Sequence, residues 1–345
     1  MTLPEFWFVL IGFMFASYFV LEGFDFGVGV LLPVLGKDDT DRRVMINTIG
    51  PVWDANETWL VLAAGAMFAA FPHWYATAFS AYYLPLLVIL GALIVRGLAF
   101  EFRGKKDDAQ WRRRWDRCIV FGSIVVPFLW GMFFANLVGG MPINDAGDYA
   151  GGVLDLFSPY TILGGLAVLS MFVTHGAIFI ALKTTGGIRH DARELATRLG
   201  VVTIVLSAAF LSWTIASTGK ALSATLAIAV VAALVGALVA NARGSDGIAF
   251  FLTASSVVLL VATYFAVLYP NVMPSTIDPA NNLTIANASS SSYTLTLMSW
   301  VAVLIVPFVL AYQAWSYWVF RKRLSRDHIP LTPQHGAAAG GNRST

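Results

Sequence analysis

The sequence is poor in charged residues and in side chains that bind metals or form disulfides. Only 12% of its 345 residues are charged, about half the share of roughly 25% that is usual in soluble globular domains. The chain contains one cysteine, Cys118, and five histidines, which excludes a disulfide framework, an iron–sulfur cluster and a thiolate zinc site. A net charge of only +2 gives no reason to expect a nucleic-acid partner.

Hydrophobic residues make up 57% of the chain, and the mean hydropathy is +0.71. Apolar runs of about 20 residues recur, and a helix of that length crosses a hydrocarbon core of roughly 30 Å. We therefore predict an all-α polytopic membrane protein. No basic residue precedes the first apolar run, so we expect a retained first helix and not a cleaved signal peptide.

Uninterrupted apolar stretches between polar or Gly/Pro-rich breaks predict nine transmembrane helices. Their expected bounds are about 6–35, 51–70, 76–100, 118–138, 160–182, 198–217, 221–240, 247–269 and 294–320. The first 325 residues then form a single integral membrane domain. The remainder, 326–345, is expected to be a disordered cytoplasmic tail because it is rich in Gly and Ala.

The distribution of basic residues predicts the orientation. If successive loops alternate between the two sides of the membrane, all but two of the 22 lysines and arginines fall on one side, the exceptions being Lys220 and Arg96. The positive-inside rule then places the amino terminus outside and the carboxyl terminus in the cytoplasm. The long loops 139–159 and 270–293 contain no basic residue and are expected to be extracytoplasmic linkers or lids.

Six ionisable residues fall inside or at the end of the first three predicted spans: Glu22, Asp25, Asp54, Glu57, Arg96 and Glu101. A charge at the bilayer centre costs at least about 2.5–3.5 kcal/mol on insertion scales, so such groups need a partner or a water-filled path. Residues three apart share a helix face. Two acidic pairs have this spacing, Glu22 with Asp25 and Asp54 with Glu57. The expected depths run from the cytoplasmic surface toward the middle of the membrane, as a proton relay requires.

A structural interpretation of the same residues stays open. Arg96 could neutralise one carboxylate while the other acids bond to the backbone, although one arginine cannot pair with four acids. Of the histidines, only His175 lies well inside a predicted span, and we expect it to be a satisfied interior histidine. A haem held by this chain alone is not expected, because haem iron usually takes histidine ligands.

Five stretches of the chain resemble subunit II of the cytochrome bd-type quinol oxidases. They are Glu22–Gly29, Met45–Leu60, Arg96–Arg103, Val272–Ser275 and Asn287–Ser290. The similarity extends over roughly residues 6 to 323. It implies two four-helix bundles plus one additional helix, in a bacterial cell (inner) membrane, which agrees with the nine spans.

In that family the complex oxidises a quinol and reduces dioxygen to water with protons taken from the cytoplasm. The resemblance implies that two b-type haems and one d-type haem belong to a partner, subunit I, in an obligate heterodimer. By position it assigns Asp25 and Asp54 to a proton path and Trp59 to oxygen access. A quinone is expected as a lipid-soluble partner, and small accessory subunits are left open.

Two other functions remain open from the residues alone. The same carboxylates suit a stand-alone proton-coupled carrier, which would be colourless and active without a partner. A structural scaffold would tolerate neutral substitutions at Asp25, Asp54 and Glu101 once assembly is normalised.

Overall fold

The computed structural model describes residues 1–329, and this part of the chain is mainly α-helical. The helices are α1 (Leu3–Leu35), α2 (Asp39–Ile49), α3 (Trp53–Ala70), α4 (Pro72–Ala81), α5 (Tyr83–Phe102), α6 (Ala109–Gly139), α7 (Pro159–Lys183), α8 (Gly186–Thr218), α9 (Ala221–Ala242), α10 (Asp246–Leu268) and α11 (Ser292–Val319). Two short antiparallel strands, β1 (Asn271–Met273) and β2 (Leu283–Thr284), lie between α10 and α11. The predicted tail falls almost wholly outside the described residues.

Eight helices in the described part of the chain are long and apolar enough to cross a membrane. They correspond to eight of the nine predicted spans. The remaining segment forms α3, an 18-residue helix about 27 Å long at 1.5 Å per residue. Its first two turns contain Asp54, Asn56 and Glu57, which lower its hydropathy. The predicted span 76–100 is divided between α4 and α5, which meet at Tyr82.

Helix α1 occupies the centre of the fold and contacts α3, α6, α7 and α10. Its closest approach is to α7, where Gly27 faces Gly176. A Cβ atom added to Gly27 would lie 2.1 Å from the Phe172 carbonyl oxygen and 2.7 Å from the Gly176 Cα. Such small residues let two membrane helices touch through their backbones. This contact fixes the position of the α1 segment that carries Glu22 and Asp25.

Helix α11 is the least buried of the membrane helices, and Leu295 is its one buried side chain. Its beginning is held by Trp7, whose Nε1 donates to Ser299 Oγ at 3.0 Å. The segment after its end is held by ion pairs. Arg323 lies 2.9 Å from Asp246, and Arg326 lies 2.6 Å from Asp38. Helix α11 is therefore fastened at both ends and loosely packed between them.

The loops gather at two opposite ends of the helices. At one end, Arg103 and Arg42 both bind Asp116, and we name this the basic end. At the other end, the segment after α6 pairs with the segment after α10: Met141 N donates to the Pro274 carbonyl at 3.0 Å. The amino terminus lies with the second group, since the Tyr269 hydroxyl donates to Glu5. Because Arg326 lies at the basic end, the two ends of the described chain are on opposite faces.

Candidate functional site

A buried guanidinium stands between two carboxylates at the centre of the first helices. Arg96 of α5 is fully buried, and its Nη1 donates to Glu22 Oε2 and to Glu57 Oε1, each at 3.0 Å. Glu22 is fully buried, whereas the Glu57 side chain is 23% exposed. The Arg96 guanidinium also lies over the Phe26 ring, 4.4 Å from its centroid. The predicted role of Arg96 as a charge partner is consistent with this geometry, and it pairs two acids, not one.

Asp25 lies one turn further along α1 and has a different kind of partner. It is fully buried, and Asn56 Nδ2 of α3 donates to its Oδ2 at 2.7 Å. The Asn56 Oδ1 in turn accepts hydrogen bonds from two residues of α11, Gln313 Nε2 at 2.9 Å and the Tyr317 hydroxyl at 2.8 Å. Asp25 is therefore linked to α11 through the side-chain amide of Asn56.

Several buried polar atoms around these carboxylates have no protein partner. They are Glu22 Oε1, Asp25 Oδ1, Arg96 Nε, Arg96 Nη2 and the Tyr18 hydroxyl. Native structures leave few buried polar groups unsatisfied, and buried water commonly supplies the missing bond. Their concentration here distinguishes this region from an ordinary helix contact. It is a buried polar centre in which several donors and acceptors have no partner within residues 1–329 of the protein.

Asp54 and Glu101 do not belong to this polar centre, because both are exposed on the surface of the chain. The reason is their position around each helix. The buried face of α3 contains Asn56, Trp59 and Ala63, and Asp54 precedes Asn56 by two residues, about 200° around a helix of 3.6 residues per turn. Glu101 stands in the same relation to Ala99 on the buried face of α5. The two predicted acidic pairs are Glu22 with Asp25, and Asp54 with Glu57. The structure brings together the first pair and Glu57, and it leaves Asp54 outside.

Trp59 is buried and packs edge-on against Phe13, with ring centroids 5.8 Å apart. A cavity of about 610 Å³ opens on another side of α3, between α3, α4, α5 and α6. Its walls are apolar and include Leu60, Ala64 and Phe68. Trp59 does not line this cavity, so the tryptophan and the apolar groove are separate features.

His175 uses both ring nitrogens within the protein. Nδ1 lies 2.7 Å from Thr253 Oγ1, and Nε2 lies 3.2 Å from the Val20 carbonyl oxygen. This confirms the prediction of a satisfied interior histidine, and the occupied nitrogens do not fit a haem ligand. Within residues 1–329, no group of three or more His, Cys, Asp or Glu side chains could hold a metal ion.

Sequence reasoning missed the uncharged members of the site, namely Tyr18, Asn56, Gln313 and Tyr317. The sequence did contain a signal for Asn56. Asn56 shares one helix face with Trp59 and Ala63, and this otherwise apolar face is the buried face of α3. No comparable signal marked Gln313 and Tyr317. Their role depends on α11 packing beside α3, a contact between residues 257 and 261 positions apart in sequence.

Comparison with known proteins gives one consistent result. The family model for cytochrome bd terminal oxidase subunit II matches residues 3–320. The chain is 43% identical to cytochrome bd ubiquinol oxidase subunit 2 of Bacillus subtilis, over 96% of this chain and 99% of that protein. It is 33% identical to cytochrome bd-I ubiquinol oxidase subunit 2 of Escherichia coli K12, over 94% of this chain and 95% of that protein.

A solved structure of bd oxidase from Geobacillus thermodenitrificans shares the fold. It aligns with a TM-score of 0.73 and 17% identity, over 93% of this chain and 100% of that chain. Together with the apolar helices, these matches make the protein a multi-pass membrane protein and a subunit of a terminal oxidase. The chain belongs to the cytochrome bd terminal oxidase subunit II family.

Proposed function

We propose that this chain is the haem-free second subunit of a bd-type terminal oxidase and supplies protons and oxygen to haems held by subunit I. The complex couples quinol oxidation to the reduction of dioxygen to water. The observation that carries the proposal is the buried polar centre of Glu22, Asp25, Glu57 and Arg96, which lies in a family of oxidase subunits. Buried carboxylates with unpartnered oxygens suit proton transfer through a low-dielectric medium.

The proposed orientation places the basic end of the helices in the cytoplasm. The arginines that bind Asp116 and Asp246 lie there, as the positive-inside rule requires. In this arrangement α3 makes the ninth crossing, and its length of about 27 Å is close to the hydrocarbon thickness. The proposed architecture is two four-helix bundles with α11 as the additional helix, in a bacterial cell membrane.

The proposed proton path has an interior part and a surface part. Asp25 and Glu22 form the interior part, with Glu57 at its edge and Arg96 as the charge partner that makes the burial of two acids tolerable. The surface part, Asp54 and Glu101, is exposed on this chain alone. Its participation therefore requires that subunit I cover these carboxylates and continue the path.

Trp59 is proposed to line oxygen access to the partner's haems. Dioxygen is apolar and partitions into hydrocarbon, and Trp59 with Phe13 forms an aromatic wall close to the exposed side of α1 and α3. Replacing Trp59 by leucine is expected to change the apparent KM for oxygen several-fold with little change in kcat, since the substitution alters access and not chemistry. Oxygen consumption at limiting oxygen measures this, and an unchanged KM in Trp59→Leu removes the residue from the route.

The outward faces of α3 and α5 are the proposed docking surface for subunit I, with membrane lipid and quinone as further partners. Val61 is 70% exposed, and Leu87 and Leu90 are more than half exposed. The apolar groove of about 610 Å³ beside them has the character of a site for an acyl or isoprenoid chain. In a membrane, exposed apolar side chains can face lipid, so they do not by themselves require a protein partner. The argument that subunit I docks here rests on the exposed acids of the same helices, Asp54 of α3 and Glu101 of α5.

Purification of the tagged chain from its native membrane tests the proposed function. The protein is expected to arrive with a second, haem-bearing polypeptide, and the complex is expected to show b-type and d-type haem absorption and quinol-dependent oxygen consumption. A colourless preparation that moves protons without a partner would contradict the proposal and favour the carrier. Haem that stays with this chain after the partner has been removed would contradict the haem-free assignment.

A further inference from the structure

A second cavity, of about 350 Å³, lies at the basic end between α2, the start of α3, α7, α10 and α11. We name it the inner cavity. Lys183, Arg321 and Arg323 line it together with the Tyr317 ring, and both arginines are exposed to solvent. The inner cavity therefore extends from the surface at the basic end to Tyr317, whose hydroxyl is hydrogen-bonded to Asn56.

Beyond Tyr317 the hydrogen bonds lead directly to Asp25. The Tyr317 hydroxyl donates to Asn56 Oδ1 at 2.8 Å, and Asn56 Nδ2 donates to Asp25 Oδ2 at 2.7 Å. Two donors converge on Asn56 Oδ1, because Gln313 Nε2 also binds it at 2.9 Å. With its oxygen occupied in this way, Asn56 must present its amino group to Asp25. The orientation of the amide is thus set by α11.

This arrangement separates the two oxygens of the Asp25 carboxylate. Oδ2 is engaged by Asn56, whereas Oδ1 is fully buried and has no protein partner. An acceptor oxygen left free beside other unpartnered polar atoms is a binding position for water. The free oxygen is the chemically competent one, since a proton can bind there without breaking the bond from Asn56.

We infer that the inner cavity is the water entrance to Asp25, and that Asn56, held by Tyr317 and Gln313, positions Asp25 to take up a proton at Oδ1. The inference rests on the proposed proton function and adds its entrance and its positioning residues. The proton arrives as an excess proton on cavity water: one O–H bond of the protonated water breaks as an O–H bond forms at Asp25 Oδ1, neutral water is left behind, and the carboxyl group later releases the proton toward the partner. Asn56 orients the carboxylate and carries no proton itself.

The inference also gives α11 a role that its packing does not explain. With one buried side chain, this helix adds little to the core, yet it supplies both donors that hold Asn56. The charged groups along the proposed path come from five elements. Lys183 of α7, and Arg321 and Arg323 after α11, line the inner cavity itself, whereas Glu22 and Asp25 of α1, Glu57 of α3 and Arg96 of α5 form the polar centre at the inner end of the path.

The test compares the intact purified complex carrying Tyr317→Phe, Asn56→Leu or the control Tyr293→Phe. Tyr293 lies in the first turn of the same helix and is exposed at the opposite end. Loss of one positioning hydrogen bond is expected to lower oxygen consumption per haem roughly fivefold at high pH. The loss is expected to shrink toward low pH, because a slowed proton uptake limits turnover most where protons are scarce. The control is expected to match the unmodified complex.

A wild-type rate and pH profile in Asn56→Leu at normal haem content would overturn the inference. If Asn56→Leu fails to assemble, the result for Tyr317→Phe is used instead, because this substitution removes only a hydroxyl group. A wild-type rate and pH profile in Tyr317→Phe would also overturn the inference. The Asp25→Asn variant distinguishes a failure of the proposed proton function from a failure of the proposed entrance and positioning role. Full turnover in Asp25→Asn contradicts the proposed proton function itself, whereas a slow Asp25→Asn beside a normal Asn56→Leu and Tyr317→Phe contradicts only the entrance and the positioning role.

Discussion

Replacing Arg96 by leucine is expected to remove most of the assembled, haem-containing complex from the membrane. The substitution leaves Glu22 fully buried without its ion-pair partner and removes the bond that holds Glu57. Breaking a buried ion pair by removing one partner costs about 3–5 kcal/mol, a large fraction of the stability of a typical protein. The measurement is the haem absorption of the membranes per amount of membrane protein.

The control for this substitution is Arg114→Leu, which changes an exposed arginine in the first turns of α6 and is expected to assemble normally. A compensated variant sharpens the test. When Arg96→Leu is combined with Glu22→Gln and Glu57→Gln, the charges of all three paired groups are removed together, and assembly is expected to recover in part. Normal assembly of Arg96→Leu alone would contradict the view that this pairing holds the polar centre together.

Apolar runs were sufficient to predict the eight helices that are long and apolar enough to cross a membrane, and the differences in their bounds have identifiable physical causes. The predicted starts of α6 and α8 were late because hydropathy falls where the chain becomes charged, as at Trp111–Arg117, although arginine favours helix. Helix α2 was missed because it is short and polar and does not cross the membrane. A local signal for it existed, since the Asp38 side chain caps its beginning by accepting from Asp41 N at 2.9 Å.

The apolar spans indicated which ionisable side chains are buried within the chain, but not the direction in which each of them points. Burial of Glu22, Asp25 and Arg96 followed from their positions inside apolar spans. Asp54 and Glu57 are three residues apart, which indicates that they share a helix face. Which part of that face is buried depends on the helices that pack against α3. The stripe through Asn56 and Trp59 turns Glu57 inward and leaves Asp54 exposed.

The partner of Asp25 could not be found from one sequence for a further reason. Asn56 is bound by Gln313 and Tyr317 on α11, and periodicity contains no information about which helices are neighbours. Both residues lie in an aromatic stretch near the end of an apolar span, a pattern that also predicts interfacial anchoring. Only the three-dimensional arrangement shows that part of this stretch turns inward.

The proposed proton path depends on the buried carboxyl group of Asp25, which is proposed to carry protons toward the haems of subunit I. Replacing Asp25 by asparagine removes the titratable group and keeps a side chain of similar size beside Asn56. Oxygen consumption per haem is expected to fall roughly tenfold or more, in the range of lost acid–base function, and to fall further as the pH rises. Asp148→Asn, an exposed acid in the loop after α6, is the matched control and is expected to leave turnover unchanged.

The most direct measurement is therefore the pH profile of quinol-driven oxygen consumption by the purified Asp25→Asn complex, with haem content confirmed by its visible spectrum. The account predicts an assembled, fully haem-loaded complex that turns over slowly and loses activity more steeply than the unmodified complex at alkaline pH. An Asp25→Asn complex with normal haem, normal turnover and an unchanged pH profile would contradict it.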